Sequence, residues 1–385
     1  DQSKGGQFLF TQYDGTYGQS GSQLSIGIGA LGSFSKTAIT ATYSGLKDNA
    51  GTTTLGTSHN IVGAWWISET RFLFCGRGYS GGAANKFYLW LCDYNGGAWK
   101  VGQNSPSFDD GRAVLDLGLY SGGQAANSGV LHQRSVAVGS GKILIGEYNV
   151  ASGRVTGGAN DAVRVYQSTD SGATWSALLT FNTSGNQCRH VHGIRYDRWT
   201  GEYYIMFGDE PDSALIRWDG SSTAPSANTE LYDFYKTPGW EMMHSSDGTE
   251  TRSGDLAVHP GCIYYMSDNG DAETSEKYAF HVSKTRPMSR ARSNSFERTT
   301  GRDPLICCEM PNGASFWSTL TGPLDTGASP ESWKGFDFWY SPDGVSFTRI
   351  AKTRNNDAAT TGVLYNMFMT AEGKIDRKST RLNSS

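Results

Sequence analysis

The chain has 385 residues and a formal net charge of -4, and it contains 49 glycines, 11 prolines, 11 tryptophans, 19 tyrosines and 17 phenylalanines. This composition favours many short strands joined by tight turns, and no window carries the clean apolar periodicity of an amphipathic helix. The lack of a basic stripe argues against a nucleic-acid partner, and no apolar run reaches the ~18 residues of a membrane span.

The first predicted elements lie in residues 7–45, where polar and apolar residues alternate. We expect residues 1–45 to form an appended or closing strand segment. From residue 58 onward a pattern recurs: a polar cluster, a strand, a short turn, a second strand and a second polar cluster. Its copies span residues 58–79, 132–148, 189–210, 252–271 and 302–321, and a further copy begins at residue 362. Intervals of about 50 to 75 residues between their starts favour repeated four-stranded sheets with uneven loops.

Residues 168–175, with the sequence Ser-Thr-Asp-Ser-Gly-Ala-Thr-Trp, predict a tight turn between two strands. β-Branched and aromatic residues lie on both sides of the segment, as is typical of strands. Asp170 can accept hydrogen bonds from turn amides, Gly172 can adopt a positive φ, and Trp175 can fold back as an apolar plug. We therefore expect this turn to hold its two strands together.

A second turn of the same kind lies at residues 341–347, where Asp343, Gly344 and Phe347 take the corresponding places, and residues 93–99 carry a weaker echo. Each copy follows an aromatic strand pattern. Together with the longer repeat, these turns resemble the Asp-box (BNR-repeat) β-propellers, the group that includes sialidases and several polysaccharide-degrading enzymes. The resemblance implies an all-β fold, which we expect to be a six- or seven-bladed β-propeller with Asp-box turns, truncated at its C-terminus.

The repeats and the C-terminal segment also predict the limits of the domain. We expect residues 1–375 to form a single propeller domain. Residues 376–385 resemble the translation of a sequencing-library adapter, so we expect them to be a tail outside the fold.

The order of strands within a repeat predicts where the polar clusters lie. If the repeated hairpin supplies the first two strands of a blade, the polar clusters occupy one rim and the turns between the third and fourth strands occupy the other. The first strand is the innermost in a propeller, so the polar clusters should surround the mouth of the central channel. Propeller enzymes and lectins bind ligands at such a mouth.

The polar clusters supply the candidate site residues. Glycoside hydrolysis needs two carboxylates, or a tyrosine nucleophile activated by a glutamate, as in sialidase-like sites. The candidates for catalysis are Glu147, Tyr148, Asp209, His190 and His192. The candidates for substrate binding are His132, Arg134, Arg189, Glu210, Trp240, Arg252, Asp255 and Asp268. We expect Trp240 to lie in an irregular segment, where its ring could stack on a sugar.

Two other functions fit the same clusters. A polysaccharide lyase needs a cation to neutralise a uronic carboxylate and a histidine or tyrosine base to remove the α-proton. A glycan-binding or adhesion propeller needs only aromatic rings and polar donors. The early Phe/Tyr-Arg-Ile-Pro segment that sialidases carry is not found in the chain, so the resemblance covers the blade pattern and the Asp-boxes but not the sialidase active site. Recognition of an anionic glycan is the broader expectation.

No cofactor and no metal ion is predicted. His190 and His192 are two positions apart in a strand pattern and could reach one ion together, but structural or substrate-binding roles are favoured. The expected partner is therefore a glycan or polysaccharide, with no nucleic acid and no membrane span. An extracellular or cell-surface location follows from this function.

Overall fold

A computed structural model of the chain describes 22 stretches of it. They are residues 3–4, 7–13, 22–30, 33–38, 45–52, 60–80, 84–103, 110–119, 134–148, 162–182, 190–208, 213–225, 233–234, 236–246, 253–267, 279–284, 290–292, 304–310, 312–321, 335–354, 363–369 and 375–380. These stretches consist mainly of strands and the turns that join them, and they contain no α-helix. The chain divides into a first unit, residues 1–185 with 370–372, and a second unit, residues 186–369 with 373–385.

The first unit contains three antiparallel sheets. The N-terminal sheet consists of β1 (Ser3–Lys4), β2 (Gln7–Tyr13), β3 (Ser22–Ala30) and β4 (Ser33–Ala38). The next consists of β5 (Asn60–Ser68), β6 (Arg71–Ser80), β7 (Ala84–Asn95) and β8 (Ala98–Val101), with β9 (Leu115–Leu119) also paired to β7. The third consists of β10 (Val136–Gly139), β11 (Lys142–Gly146), β12 (Ala162–Ser168) and β13 (Ser176–Asn182).

The second unit contains three more four-stranded sheets and one hairpin. The first sheet consists of β14 (His190–Tyr196), β15 (Tyr203–Gly208), β16 (Ser213–Trp218) and β17 (Trp240–Ser246). The second consists of β18 (Ser253–Val258), β19 (Cys262–Ser267), β20 (Ala279–Ser283) and β21 (Arg290–Arg292). The third consists of β22 (Pro304–Glu309), β23 (Ser315–Thr321), β24 (Gly335–Ser341) and β25 (Thr348–Arg354). The hairpin consists of β26 (Val363–Met369) and β27 (Ile375–Thr380).

The strand order confirms the predicted fold class, an all-β chain of repeated antiparallel sheets consistent with a β-propeller. In each four-stranded sheet the strands pair in chain order, and the repeated hairpin supplies the first two strands of the sheets that begin with β5, β10, β14, β18 and β22. Within the second unit the first strands β14, β18, β22 and β26 lie side by side, as the innermost strands of successive blades do. The number of blades stays a prediction. Residues 376–380, expected in a tail outside the fold, belong to β27 and pair with β26.

Bulges recur at matching positions in successive sheets. Near the start of the first strand the register shifts in β5, β14, β18, β22 and β26. A second shift recurs where the third strand pairs with the fourth, at residues 165–166, 215–216 and 338–339. Because a bulge strengthens the local twist of a strand, this periodic placement bends each sheet in the same way.

Buried aromatic residues pack the interior of both units. In the first unit the rings of Phe74 and Trp90 stack with centroids 5.3 Å apart, and both side chains are fully buried. In the second unit Tyr264 and Trp317 lie in one apolar cluster with residues from three sheets. The many tryptophans and tyrosines of the sequence therefore fill the space between and within the sheets.

The turn between β12 and β13 is closed by side-chain hydrogen bonds. The Asp170 carboxylate accepts bonds from the Ser168 hydroxyl at 2.8 Å and from the amide and the hydroxyl of Thr174 at 2.9 and 2.5 Å. Gly172 has a φ of +91°, and the Trp175 indole N–H donates to its carbonyl at 3.0 Å. The turn lies at the opposite end of its sheet from the end of β11.

The turn between β24 and β25 has the same construction. Asp343 accepts bonds from the amides of Val345 and Ser346 at 2.9 and 2.7 Å, Gly344 has a φ of +75°, and Phe347 is buried. The echo at residues 93–99 differs, because Asp93 lies within β7 and pairs with Arg71 across the sheet instead of closing the turn.

A further turn of this kind, which the sequence analysis did not single out, follows β16. Asp219 accepts bonds from the amides of Ser221 and Ser222 at 2.8 and 2.7 Å, and Gly220 has a φ of +78°. The Trp218 indole N–H donates to the Ser222 carbonyl at 3.0 Å. Here the aromatic ring precedes the aspartate instead of following it.

Candidate functional site

The described residues include part of the predicted site. His132, Arg189, Asp209, Glu210, Arg252 and Asp268 lie outside the described residues, and the backbone of His190, but not its side chain, is described. The remaining candidates divide between the two units. Arg134, Glu147 and Tyr148 belong to the first unit, and His192, Trp240 and Asp255 to the second.

Glu147 lies directly after β11 and is fully buried. Its amide donates to the Arg164 carbonyl at 3.0 Å, and its carboxylate accepts from the Arg164 amide at 2.8 Å. The Arg164 guanidinium lies 3.8 Å from the same carboxylate oxygen. A buried carboxylate is tolerated when it is hydrogen-bonded and lies near an opposite charge. Arg164 supplies both at the polar end of this sheet.

Arg134 and Tyr148 lie at the same end of the sheet. Val136 pairs with Ile145, and the Gly146 amide donates to the Ser135 carbonyl at 2.8 Å, so the backbone register places Arg134 across from Glu147. Tyr148 is half-buried and follows Glu147 along the chain. The three neighbouring chain segments thus present one row, which we name the Glu147 cluster: Arg134, Glu147 and Tyr148, and Arg164.

Arg164 was missing from the sequence-based candidates. It lies in the third strand, whereas the candidates predicted from the sequence come from the ends of the first two strands. Its place near the start of the third strand could have identified it, because the third strand of an antiparallel meander starts at the same end of the sheet where the second strand ends.

His192 occupies the bulge near the start of β14. Val191 pairs with Phe207 and Gly193 with Met206, so His192 falls between two pairs. The simple alternation that would place it on the same side as His190 does not hold through a bulge. His192 is 4% exposed, and the described residues contain no group of three or more metal-ligating side chains.

Asp255 is bonded to protein groups, and its contact with substrate stays a prediction. Its carboxylate accepts from Arg195 at 2.5 Å, from the Leu256 amide at 2.9 Å and from the Cys307 amide at 3.0 Å. The side chain is 1% exposed. Both carboxylate oxygens therefore tie β14, β18 and β22 together.

Glu309 completes this Arg195 network, defined as Arg195, Asp255, Cys307 and Glu309. Its carboxylate lies 3.6 Å from the Arg195 guanidinium and accepts from the Val258 amide at 2.7 Å. Burial raises the pKa of Glu309, and the charge of Arg195 only partly offsets this effect. Burial also raises the pKa of the Cys307 thiol well above its usual range, so this thiol stays neutral.

Trp240 is a correction to the sequence analysis. It begins β17 instead of lying in an irregular segment, and it is 5% exposed. Its ring stacks on Trp218 with centroids 5.2 Å apart, and its indole N–H donates to the Thr223 carbonyl at 3.0 Å. With its ring buried against Trp218, Trp240 has no open face for stacking on a sugar.

Comparisons with known proteins add fold-level likenesses. No protein-family model matches the chain. No curated protein matches it either. The GH74 xyloglucanase from Xanthomonas campestris is 15% identical at a TM-score of 0.43, with 80% of this chain and 40% of that chain covered. The exo-beta-1,3-galactanase from Phanerochaete chrysosporium is 11% identical at a TM-score of 0.40, with 84% and 71% covered.

A soluble aldose sugar dehydrogenase from Escherichia coli is 9% identical at a TM-score of 0.39, and 80% of this chain and 91% of that chain are covered. The structural neighbours thus include glycoside hydrolases and sugar dehydrogenases, and at these identities the likeness concerns the fold. In the described stretches no helix is long and apolar enough to cross a membrane.

Proposed function

We propose that this chain is a carbohydrate-active propeller, a glycoside hydrolase that acts on an anionic or complex glycan. The observation that carries the proposal is the Glu147 cluster, in which a buried carboxylate, a tyrosine and two arginines lie together at one end of a sheet. The sequence predicts that this end belongs to the rim on which the first and second strands of the blades place their polar residues.

Each member of the cluster has a role that its chemistry suits. Glu147 takes the proton of Tyr148, and the tyrosine oxygen attacks the anomeric carbon as the bond to the leaving sugar breaks and the leaving oxygen takes a proton from solvent water. A water molecule then displaces the tyrosine oxygen and gives one proton back to the solvent, and the tyrosine recovers its own proton from Glu147. Arg134 and Arg164 hold an anionic group of the substrate, because a guanidinium matches a carboxylate in charge and geometry.

The sequence supplies further candidates. His190, His192 and Asp209 stay predictions as catalytic residues, as do His132, Arg189, Glu210, Arg252 and Asp268 as contacts to the glycan. An extracellular or cell-surface location belongs to the same proposal. The finer resemblance to Asp-box propellers is supported by the hydrogen bonds of Asp170, Asp343 and Asp219 in turns between third and fourth strands.

The test is turnover of a panel of sialylated, uronic-acid and neutral glycans. Two products are measured, new reducing ends and unsaturated uronates. New reducing ends without absorbance from an unsaturated uronate support hydrolysis, whereas both signals together indicate a lyase. Binding of a glycan without either signal indicates an adhesion module.

Two variants, with a matched control, assign the activity to the cluster. Glu147→Gln and Tyr148→Phe should each lower turnover by at least about 100-fold. The control is Glu69→Gln, because Glu69 lies in the exposed turn between β5 and β6. Wild-type turnover in both cluster variants would refute this assignment.

A further inference from the structure

The turn between β14 and β15, residues 197–202, presents an exposed tryptophan that the proposed hydrolysis does not use. Trp199 is 38% exposed. The guanidinium carbon of Arg198 lies 4.6 Å from the centroid of its ring, and Arg198 also donates to the Met310 carbonyl at 2.7 Å. This turn, named here the Trp199 turn, lies at the opposite end of β14 from His190.

Buried polar groups fix the position of the exposed ring. The fully buried Asp197 carboxylate accepts from the Trp199 amide at 2.9 Å and from the Thr200 hydroxyl at 2.7 Å, and it forms an ion pair with Lys284. The Lys284 ammonium lies 5.3 Å from the Trp199 ring centroid. A surface turn built on a buried ion pair is unusual, because desolvating both charges is costly. Its effect here is to hold one large aromatic side chain in place.

Neighbouring turns of the second unit hold the Trp199 turn from the side. The Lys284 amide donates to the Gly261 carbonyl at 3.1 Å, and the Tyr264 hydroxyl donates to the Gly313 carbonyl at 2.5 Å. Arg198 reaches the same β22–β23 turn through Met310. Because the backbone that carries Trp199 is held in place, less entropy is lost when a ligand packs on the ring than for a side chain on a mobile loop.

The charges around the turn leave Arg198 as its available cation. Lys284 is paired with Asp197, and Glu202 is paired with Arg217 at 3.7 Å. Burial and the charge of Lys284 lower the pKa of His259, so its ring is neutral at pH 7. Glu309 is close enough for Arg198 to lower its pKa, but its carboxylate is bonded to Arg195 and Val258. Within the described stretches Arg198 forms no ion pair.

We infer that Trp199 and Arg198 form a binding point for a carboxylated sugar, separate from the Glu147 cluster and independent of turnover. The indole packs against the apolar face of the sugar ring, since aromatic side chains provide large, rigid and partly polar contact surfaces. The guanidinium donates to the sugar carboxylate; one of its five N–H donors already bonds Met310, and the others remain for the ligand. This surface binds one carboxylated sugar unit of an acidic polysaccharide.

The experiment is calorimetric titration of the full chain with a galacturonic acid hexamer and with its fully methyl-esterified form. All proteins carry Glu147→Gln, which should slow hydrolysis by at least about 100-fold during the titration. Trp199→Ala should weaken binding of the acidic hexamer at one site by about tenfold or more. Arg198→Gln should weaken the acidic hexamer similarly but leave the ester unchanged. The control Tyr94→Ala removes another exposed aromatic residue, which is 48% exposed in the first unit, and should change neither.

Three results would overturn the inference: no binding of the acidic hexamer, unchanged affinity and stoichiometry in both variants, or equal loss of the acid and the ester in Arg198→Gln. Because Arg198 is an exposed side chain, its variant tests the inference even if Trp199→Ala does not fold. Failure of the proposed function gives a different result. A wild-type chain that turns over no glycan can still lose hexamer binding through Trp199→Ala.

Discussion

Replacing Gly344 by alanine should destabilise the chain more than the same change at any open glycine of the second unit. Gly344 has a φ of +75°, and a Cβ added there would lie 2.3 Å from Tyr264 Cδ1 and 2.6 Å from Cγ. Tyr264 cannot move away easily, because it is fully buried and its hydroxyl donates to the Gly313 carbonyl at 2.5 Å. The turn after β24 is therefore locked against the neighbouring sheet.

The magnitude follows from two separable effects. A positive φ costs an alanine about 1 to 2 kcal/mol, of which a few tenths are offset in the unfolded chain. Overpacking against a fixed ring adds about 1 to 3 kcal/mol. Gly201 isolates the first effect, because its φ is +81° and a Cβ there would meet nothing within 4 Å. We expect a loss of about 1 kcal/mol for Gly201→Ala and about 2 to 4 kcal/mol for Gly344→Ala.

The assay is urea unfolding of both variants and the parent, followed by tryptophan fluorescence and by circular dichroism. Coincident transitions with equal m-values license the comparison of the free energies of unfolding. Equal losses in the two variants would refute the packing argument, since they would show that the Tyr264 ring yields at no cost.

Three further predictions concern charge and reactivity. Arg195→Met leaves Asp255 and Glu309 without their buried partner and should lower the free energy of unfolding by about 3 to 5 kcal/mol in the same assay, whereas a loss under 1 kcal/mol would contradict the network. Partial burial raises the pKa of Asp170, but hydrogen bonds from Thr174 and Ser168 outweigh this and lower it overall. The stability from Asp170 is therefore complete above the unfolded pKa of about 3.9 and lost as the pH falls through the lower folded pKa, so Asp170→Asn should be less stable at pH 7 and should lose less stability on acidification. Burial raises the pKa of the Cys262 thiol to about 11, so alkylation of Cys262, located by mass spectrometry, should be slow at pH 7 and should accelerate up to that pH; fast labelling at pH 7 would contradict the burial.

The repeat could be predicted from the sequence because it depends on local residue order. Residues 189–210 were expected to form two strands with polar ends, and β14 and β15 occupy residues 190–196 and 203–208. The Asp170 turn was likewise predictable, since the hydrogen-bond partners of the Asp170 carboxylate and of the Trp175 indole lie within four residues along the chain. The order of the strands also predicts that, within one sheet, the turn between the third and fourth strands lies at the opposite end from the polar clusters.

The Asp219 turn and the burial of Trp240 were harder to predict from the sequence. The aromatic ring of that turn, Trp218, comes before the aspartate, so the spacing differs from that of residues 168–175. Trp240 follows a long loop, and only pairing with Trp218 across the sheet shows that it is a strand residue. Composition alone could not distinguish a buried stacked ring from an exposed one.

The ionic contacts could not be predicted because they join distant parts of the chain. Arg195 and Asp255 are 60 residues apart, and Asp197 and Lys284 are 87 apart. From the sequence alone, each of these residues is predicted to be a solvated charge at the end of a strand. Their pairing depends on the packing of successive sheets, and no local pattern encodes which residues of two sheets face each other.

We propose that the end of the sheet formed by Arg134, Glu147, Tyr148 and Arg164 carries out the reaction and that the Asp170 turn at its other end stabilises the fold. The most direct measurement is the turnover of an acidic glycan by Glu147→Gln and Asp170→Asn, with the unfolding free energy of each. Glu147→Gln should lose at least about 100-fold in turnover while remaining folded, and Asp170→Asn should lose stability but keep its turnover. Full turnover in Glu147→Gln, or loss of turnover in a folded Asp170→Asn, would contradict the account.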